Sequence, residues 1–121
     1  MAKILVVDDV QLERSLISLI LRRAGHSVIE AADGNEAVLM AKEFNPDVVF
    51  MDIVMPVVDG FTATKRLMMA PETKNIPIIV VSSKPQESDK FRAKQLGAKG
   101  YIVKPANERN ILDALAQVFT S

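Results

Sequence analysis

Five short apolar runs divide the chain, and a segment with helical spacing of apolar residues follows each run. The runs cover positions 4–7, 28–29, 48–51, 76–81 and 101–103. The third run, Val48–Met51, is apolar without alternation, which predicts a strand buried on both faces of a parallel sheet. Strands that alternate with helices in this way indicate a doubly wound (βα)5 fold, of the α/β class. The pattern does not determine the order of the strands.

Apolar spacing and end signals predict one helix after each strand. Gly25 suits a left-handed stop for the first helix, whose apolar positions are Leu12, Leu16, Leu19, Ile20 and Ala24. Capping boxes predict two helix starts, Asp33 with Glu36 and Ser83 with Gln86. The inward side of the fourth helix is expected to carry Phe91, Ala93, Leu96 and Ala98. Core positions are also expected for the methionines at 40, 51, 68 and 69.

The composition indicates one domain, residues 1–121, and no output domain is expected. Fifteen basic residues balance 15 acidic residues, so the charge gives no strong attraction to nucleic acid or to a membrane surface. The absence of cysteine excludes disulfides and thiol chemistry. No apolar run approaches the ~20 residues that span a bilayer, and the N-terminus has no signal-peptide layout. We expect a monomer in the cytoplasm.

Polar side chains follow the ends of four predicted strands. These are Asp8 and Asp9 after the first strand, Asp52 after the third, Ser82 after the fourth and Lys104 after the fifth. Because ligands of open parallel sheets bind outside the carboxyl ends of the strands, we expect these side chains to meet there. Three carboxylates in one place repel one another, and a divalent cation or a lysine relieves that repulsion. Carboxylate oxygens suit Mg²⁺, or Mn²⁺ in its place.

The charges at this edge suit the transfer of a phosphoryl group. Three carboxylates, one lysine and one Mg²⁺ sum to zero formal charge, so a carboxylate can approach a phosphoryl group without unscreened repulsion. An ionised Asp52 needs no general base to be a nucleophile, and it is the predicted phosphoacceptor. Lys104 and the metal would neutralise charge on the phosphoryl oxygens in the transition state. Ser82 would donate a hydrogen bond to one of those oxygens.

Each of these residues also has a plainer interpretation. One of the two adjacent aspartates could cap the first helix, Ser82 could simply end its strand, and Lys104 could be a solvated loop residue. Tyr101 could be a half-buried core aromatic residue. His26, the only histidine, is expected at a surface turn and has no predicted role. The coincidence of phosphate and metal chemistry at several strand ends favours a functional site.

The same residues form a pattern that resembles the response-regulator receiver domain, the phosphoacceptor half of two-component signalling. The resemblance covers about residues 3–118. Its motifs are Val7-Asp8-Asp9, the block Met51-Asp52-Ile53-Val54-Met55-Pro56 with Asp59-Gly60, the hydroxyl of Ser82, and Tyr101 ahead of Lys104-Pro105. With no output domain expected, the chain is most similar to the stand-alone chemotaxis (CheY-like) regulators. Segments 60–64 and 83–90 resemble the single-domain regulators of type IV pilus, or twitching, systems.

The resemblance implies a flavodoxin-like sheet with strand order 2-1-3-4-5 and a sensor histidine kinase as the phosphoryl donor to Asp52. It implies that Mg²⁺ is held by Asp9, Asp52 and the backbone carbonyl of Val54, with Asp8 acting partly through water. Lys104 would pair with the phosphoryl group, and its bond to Pro105 would be cis.

The resemblance also implies a conformational switch and positions that set the lifetime of the phosphorylated state. Ser82 and Tyr101 would be the switch pair, in which Ser82 moves toward the phosphoryl group and Tyr101 turns inward. The surface of the fourth helix, fifth strand and fifth helix would change for a downstream protein partner. Val54 and Lys84 occupy positions that tune the lifetime of the phosphoryl group.

Other functions stay open at this stage. The protein could drain phosphate from a shared kinase instead of driving an effector. An aspartyl-phosphate phosphohydrolase would need a second carboxylate two residues after the acceptor, where this chain has Val54. A flavin or nucleotide binder would cradle phosphate on a loop that is not acidic. A scaffold independent of phosphorylation would not need the acceptor set. A phosphoacceptor switch, and not an enzyme with turnover, is therefore the leading hypothesis.

Overall fold

The computed structural model describes residues 1–120, in which five strands and five helices alternate without exception. The strands are β1 Lys3–Val7, β2 Ser27–Ala31, β3 Val48–Met51, β4 Ile78–Ser82 and β5 Gly100–Val103. The helices are α1 Gln11–Arg23, α2 Gly34–Phe44, α3 Gly60–Met69, α4 Glu87–Gln95 and α5 Glu108–Thr120. All strand pairs are parallel and the order is β2-β1-β3-β4-β5. The predicted fold class and strand order are confirmed.

Apart from Lys3 and Ser82 at their ends, the inner strands β1, β3 and β4 are apolar at every position, because each face of the sheet has its own core. Leu5 and Met51 point to the face that α2 and α3 cover, and Ile4 and Phe50 point to the face that α1 and α5 cover. Successive side chains of a strand point to opposite faces, so a strand between two helical layers needs no polar positions. Within residues 1–120, no helix combines the length and apolar character that a membrane span requires.

The helix predicted after β1 is present as α1, but not all of its apolar positions face the sheet. Leu12 is 81% exposed, and Leu16 and Leu19 are each about half exposed. The buried positions are instead Ile17, Ser18 and Leu21. Two apolar stripes run along this helix, and only the one through Ile17 and Leu21 is directed at the sheet.

The predicted start of α4 is also wrong. The helix begins at Glu87 after the N-cap Gln86, which makes no side-chain capping bond. Pro85 disfavours helical geometry at the residue before it, which explains why the segment after β4 stays extended. Among the residues of α4 only Ala93 is buried, and Phe91 is 64% exposed instead of facing the core. Met69, at the end of α3, is likewise exposed and does not fill the core.

The loop between β3 and α3 is tightly constrained. The backbone N–H of Gly60 donates to the carbonyl of Ile53 over 3.1 Å. A Cβ at Gly60 would overlap the backbone oxygen of Asp52, so only glycine lets α3 begin this close to the end of β3. Val57 has a φ of +66°, and Val58 N–H donates to the Pro56 carbonyl across it. A β-branched residue at positive φ is strained, and this one is almost fully exposed.

We expect Val57→Gly to stabilise the fold by about 1 kcal/mol, because glycine adopts positive φ without steric cost. The measurement is the free energy of unfolding in urea. The matched control is Val54→Gly in the same loop, where φ is not positive and glycine should destabilise through backbone entropy. Equal destabilisation by both substitutions would contradict the assignment of strain to Val57.

Candidate functional site

The acidic residues that follow β1 and β3 meet at the carboxyl edge of the sheet, as predicted. Val7 pairs with Met51 in the parallel register, and Asp52 N–H donates to the Val7 carbonyl over 3.0 Å. The next residues of both strands therefore leave the sheet side by side. Asp8, Asp9 and Asp52 each place one carboxylate oxygen within 4.8 Å of the others. We call these three residues the acidic cluster.

Lys104 reaches the acidic cluster from the end of β5. Its Nζ lies 2.8 Å from Asp8 Oδ2 and 3.5 Å from Asp52 Oδ2. Its backbone N–H donates to the Ser82 carbonyl, which extends the pairing of β5 with β4. The bond between Lys104 and Pro105 is cis. The structure thus brings the predicted lysine to the predicted carboxylates.

The three carboxylates differ in their surroundings. Asp8 and Asp52 are buried, whereas Asp9 is exposed at the rim. Asp8 Oδ1 accepts from the backbone N–H of Val10 over 2.9 Å, and Asp52 Oδ1 accepts from the N–H of Val54 over 3.2 Å. Each buried carboxylate is therefore fixed on one oxygen by its own loop and presents the other oxygen to Lys104.

Burial and the charges of neighbouring groups together set the pKa values of Asp52 and Lys104. Burial raises the pKa of Asp52 to about 6; the charge of Lys104 opposes the rise, and the charge of Asp8 adds to it. Burial by itself would lower the pKa of Lys104, but the contacts with its carboxylate neighbours raise that pKa above its ordinary value. The lysine therefore stays a cation, while Asp52 is harder to ionise than an ordinary aspartate.

Ser82 and Tyr101 are linked through the loop that follows β4. The buried Ser82 Oγ accepts from the backbone N–H of Lys84 over 3.1 Å. The Tyr101 hydroxyl donates to the carbonyl of the same Lys84 over 2.8 Å. Burial raises the pKa of Tyr101, and a hydrogen bond with Ser82 partly opposes the rise. The side chains proposed as a switch pair thus share one loop residue.

The remaining predicted site residues, Val54 and Lys84, lie in the loops that follow β3 and β4. Val54 is half exposed and Lys84 is exposed, and both line a shallow cavity of about 290 Å³ beside Asp89 and Arg92. A metal-binding role for the Val54 carbonyl stays a prediction.

His26 is half-buried beside the N-terminus, where its Nδ1 accepts from the backbone N–H of Ala2 over 3.0 Å.

Glu13 is a residue of this site that the sequence interpretation missed. Its Oε1 lies 3.0 Å from Lys104 Nζ, closer than the carboxylate of Asp52. The balance of charges must therefore include a fourth carboxylate, and the sum with one Mg²⁺ is −1 and not zero. One signal was available, because Glu13 is the acidic residue in the first turn of α1, directly after the predicted acidic pair.

The acidic cluster fits a small divalent cation. Oxygens around one Mg²⁺ at about 2.0–2.1 Å stand at most about 4.2 Å apart, so a spread of up to 4.8 Å needs only a small contraction. All donors are oxygens, which Mg²⁺ and Mn²⁺ prefer. Since the site contains four carboxylates and one lysine, it has excess negative charge that such an ion would offset.

Comparison with known proteins identifies the family of this chain. Residues 4–116 match the family model of the response regulator receiver domain. The chain belongs to this family. This receiver domain and Protein PilH of Pseudomonas aeruginosa are 43% identical over 118 residues. The match covers 98% of each chain. This similarity confirms the predicted likeness to the regulators of pilus systems.

Two solved receiver structures have the same fold. Chemotaxis protein CheY4 of Vibrio cholerae superposes with a TM-score of 0.92 at 38% identity, covering 98% of both chains. The receiver domain of sensor histidine kinase PA1611 from Pseudomonas aeruginosa gives a TM-score of 0.91 at 29% identity, covering 99% of this chain and 98% of the other. That structure has a magnesium ion coordinated in its active site cleft. The family therefore includes stand-alone chemotaxis regulators and domains of kinases.

We expect Asp52→Asn to stabilise the metal-free protein at pH 7 by about 2–3 kcal/mol, from a pKa raised by about two units. The sign follows from linkage. Folded Asp52 holds its proton more tightly than unfolded Asp52. The free energy of unfolding therefore falls as the pH rises from ~4 to about 6, and it stays lower above that pH. The advantage of the variant should vanish below pH ~4. Urea unfolding across pH 3.5–8, with Asp113→Asn as an exposed control, measures this. An advantage that does not depend on pH would contradict the assignment.

We expect Lys104→Met to destabilise the metal-free protein by about 3 kcal/mol at neutral pH, because two buried carboxylates lose their cation. Millimolar MgCl2 should restore part of that loss. The measurement is thermal unfolding with and without MgCl2, and the control is the exposed Lys65→Met on α3. A Lys104 variant as stable as the control would show that the lysine does not hold the acidic cluster together.

Proposed function

We propose that this receiver domain is a phosphorylation-driven switch in which Asp52 accepts a phosphoryl group from a sensor histidine kinase. One observation carries the proposal. Asp52 is buried at the end of β3, with one oxygen held by a backbone N–H and the other facing Lys104 within the acidic cluster. A buried nucleophile beside a fixed cation and further carboxylates suits the transfer of a dianionic group.

The chain's own residues supply the nucleophile and part of the charge neutralisation. An oxygen of ionised Asp52 would attack phosphorus, and the bond from phosphorus to the donor histidine would break. No base is required because the carboxylate already has a free electron pair. Lys104, which stays charged, would pair with an oxygen of the transferred group and neutralise its charge. The rigid loops that hold Asp8 and Asp52 keep this arrangement in place before the donor arrives.

We propose Mg²⁺, or Mn²⁺, as the cofactor, held by Asp9, Asp52 and the backbone carbonyl of Val54, with Asp8 acting partly through water. The cation supplies positive charge that offsets the acceptor and phosphoryl oxygens. The exposed position of Asp9 at the rim supports this assignment, because a ligand there can be reached from solvent. The magnesium ion in the related PA1611 receiver domain supports it also.

The switch would operate through the loop after β4. Ser82 Oγ would leave the N–H of Lys84, from which it accepts, and would donate its own proton to a phosphoryl oxygen. Tyr101 would give up the Lys84 carbonyl and turn inward. The equilibrium between the two arrangements shifts because the phosphoryl group binds only one of them well. The affected surface is that of α4, β5 and α5, which would bind a downstream protein. Val54 and Lys84, which line the cavity beside the site, would set the lifetime of the phosphoryl group.

The proposed role is in pilus motility control, in the cytoplasm and as a monomer, and the likeness to Protein PilH supports the pilus assignment. The partners would be a sensor histidine kinase and one downstream protein, without nucleic acid. Val54 stands where a phosphohydrolase of this type would carry a second carboxylate, which supports a switch over an enzyme that turns over phosphate esters.

The proposal is tested by incubating the purified protein with acetyl phosphate and Mg²⁺. We expect one acid-labile phosphoryl group per chain, detected as a mass increase, and none in Asp52→Asn. Asp113→Asn, an exposed aspartate on α5, is the matched control and should label normally. Phosphorylation that survives in Asp52→Asn would identify a different acceptor. Steady release of phosphate from a small phosphate ester would favour the phosphohydrolase instead.

A further inference from the structure

Three carboxylates lie within ion-pair distance of the Lys104 ammonium. Nζ lies 2.8 Å from Asp8, 3.0 Å from Glu13 and 3.5 Å from Asp52. The ammonium donates hydrogen bonds to Asp8 and Asp52, and Glu13 adds an ion pair. A phosphoryl oxygen on Asp52 would take over the long contact of Asp52, and it would compete with the two shorter contacts to come as close to Nζ as they do.

The two shorter contacts differ in what it costs to break them. The Asp8 side chain is 1% exposed, and leaving a buried carboxylate without its cation is costly. The Glu13 side chain is 42% exposed, so water can solvate its carboxylate once the lysine has left. Glu13 is therefore the partner that can release Lys104 at the lower cost in free energy.

The surroundings of Glu13 allow this movement. Glu13 and Lys104 line a small cavity of about 100 Å³ between α1 and the segment after β5, together with Leu16, Ile17, Pro105 and Ala106. The cavity opens to the surface beside the exposed side chain of Leu16. The glutamate can thus turn toward solvent without displacing the buried core of α1.

We propose that Glu13 is a positioning residue that holds Lys104 in the unphosphorylated protein and competes with the phosphoryl group for it. The inference rests on the function proposed above. In the resting state Glu13 draws the ammonium toward α1, and in the phosphorylated state it gives up that contact to a phosphoryl oxygen. Glu13 would consequently weaken the hold of the site on the phosphoryl group and reduce the stability of the active arrangement.

The first test needs neither metal nor phosphoryl group. In the metal-free protein, Glu13→Gln should increase the rate at which an amine-acylating reagent modifies Lys104 by about two- to fivefold, the range for losing a partly exposed ion pair. Peptide mass spectrometry gives the rate for each lysine. Glu87→Gln is the matched control, because Glu87 pairs with Lys90 outside the site. An unchanged rate at Lys104 would overturn the hold of Glu13 on the lysine.

The second test uses beryllofluoride with Mg²⁺ as a stable substitute for the phosphoryl group, with affinity measured by calorimetry. Glu13→Gln should bind it about two- to fivefold more tightly, and Glu87→Gln should match the wild type. Glu13→Asp keeps the charge but shortens the reach, so it should resemble Glu13→Gln. A Glu13→Asp variant that binds like the wild type would overturn direct competition in favour of a general charge effect.

The two tests also separate this inference from the proposed function. Asp52→Asn should abolish beryllofluoride binding, and binding that persists in that variant would contradict the function while leaving the labelling result intact. Faster labelling of Lys104 in Glu13→Gln with unchanged beryllofluoride affinity would show that Glu13 holds the lysine but does not compete with the phosphoryl group, which overturns the proposal.

Discussion

Mutual repulsion of carboxylates at the carboxyl edge of the sheet is the constraint on which this structure depends. Each pair of charges within 4.8 Å repels by about 3 kcal/mol at an effective dielectric constant of about 20. One lysine offsets part of this energy, and burial, with a smaller contribution from the charge of Asp8, raises the pKa of Asp52. The buried strands on both faces of the sheet must therefore stabilise a site that is electrostatically unfavourable until another cation arrives.

The scaffold meets this demand by fixing the backbone on either side of the acceptor. Parallel pairing of β1 with β3 sets Asp52 beside the carbonyl of Val7, and the close approach of Gly60 places the start of α3 against the next peptide. The positive φ of Val57 concentrates strain in the exposed part of the same loop. Strain near a functional site is tolerated where the surrounding structure fixes the conformation, and here the buried side chains of Met55 and Val58 on either side of Val57 do so.

The fold and most of the site could be predicted because both depend on local patterns. Apolar runs mark the strands, and a charged or hydroxyl residue after four of the five strands is visible without coordinates. The choice between two apolar stripes on α1 depends on the angle at which the helix meets the sheet, which no window of sequence contains. Glu13 was not predicted as a site residue for a related reason. Its partner Lys104 is 91 residues away along the chain, and only the folded sheet brings the two side chains together. The capping box at Ser83 failed because Pro85 keeps the preceding residues extended.

The central claim is that the acidic cluster and Lys104 form one site built to receive a phosphoryl group on Asp52. A crystal structure of the protein with Mg²⁺ and beryllofluoride tests this claim most directly. The account predicts beryllium bonded to a carboxylate oxygen of Asp52, the metal on the acidic cluster, and Lys104 Nζ within about 3 Å of a fluorine. Beryllofluoride on another residue, or a lysine still bound only to carboxylates, would contradict it.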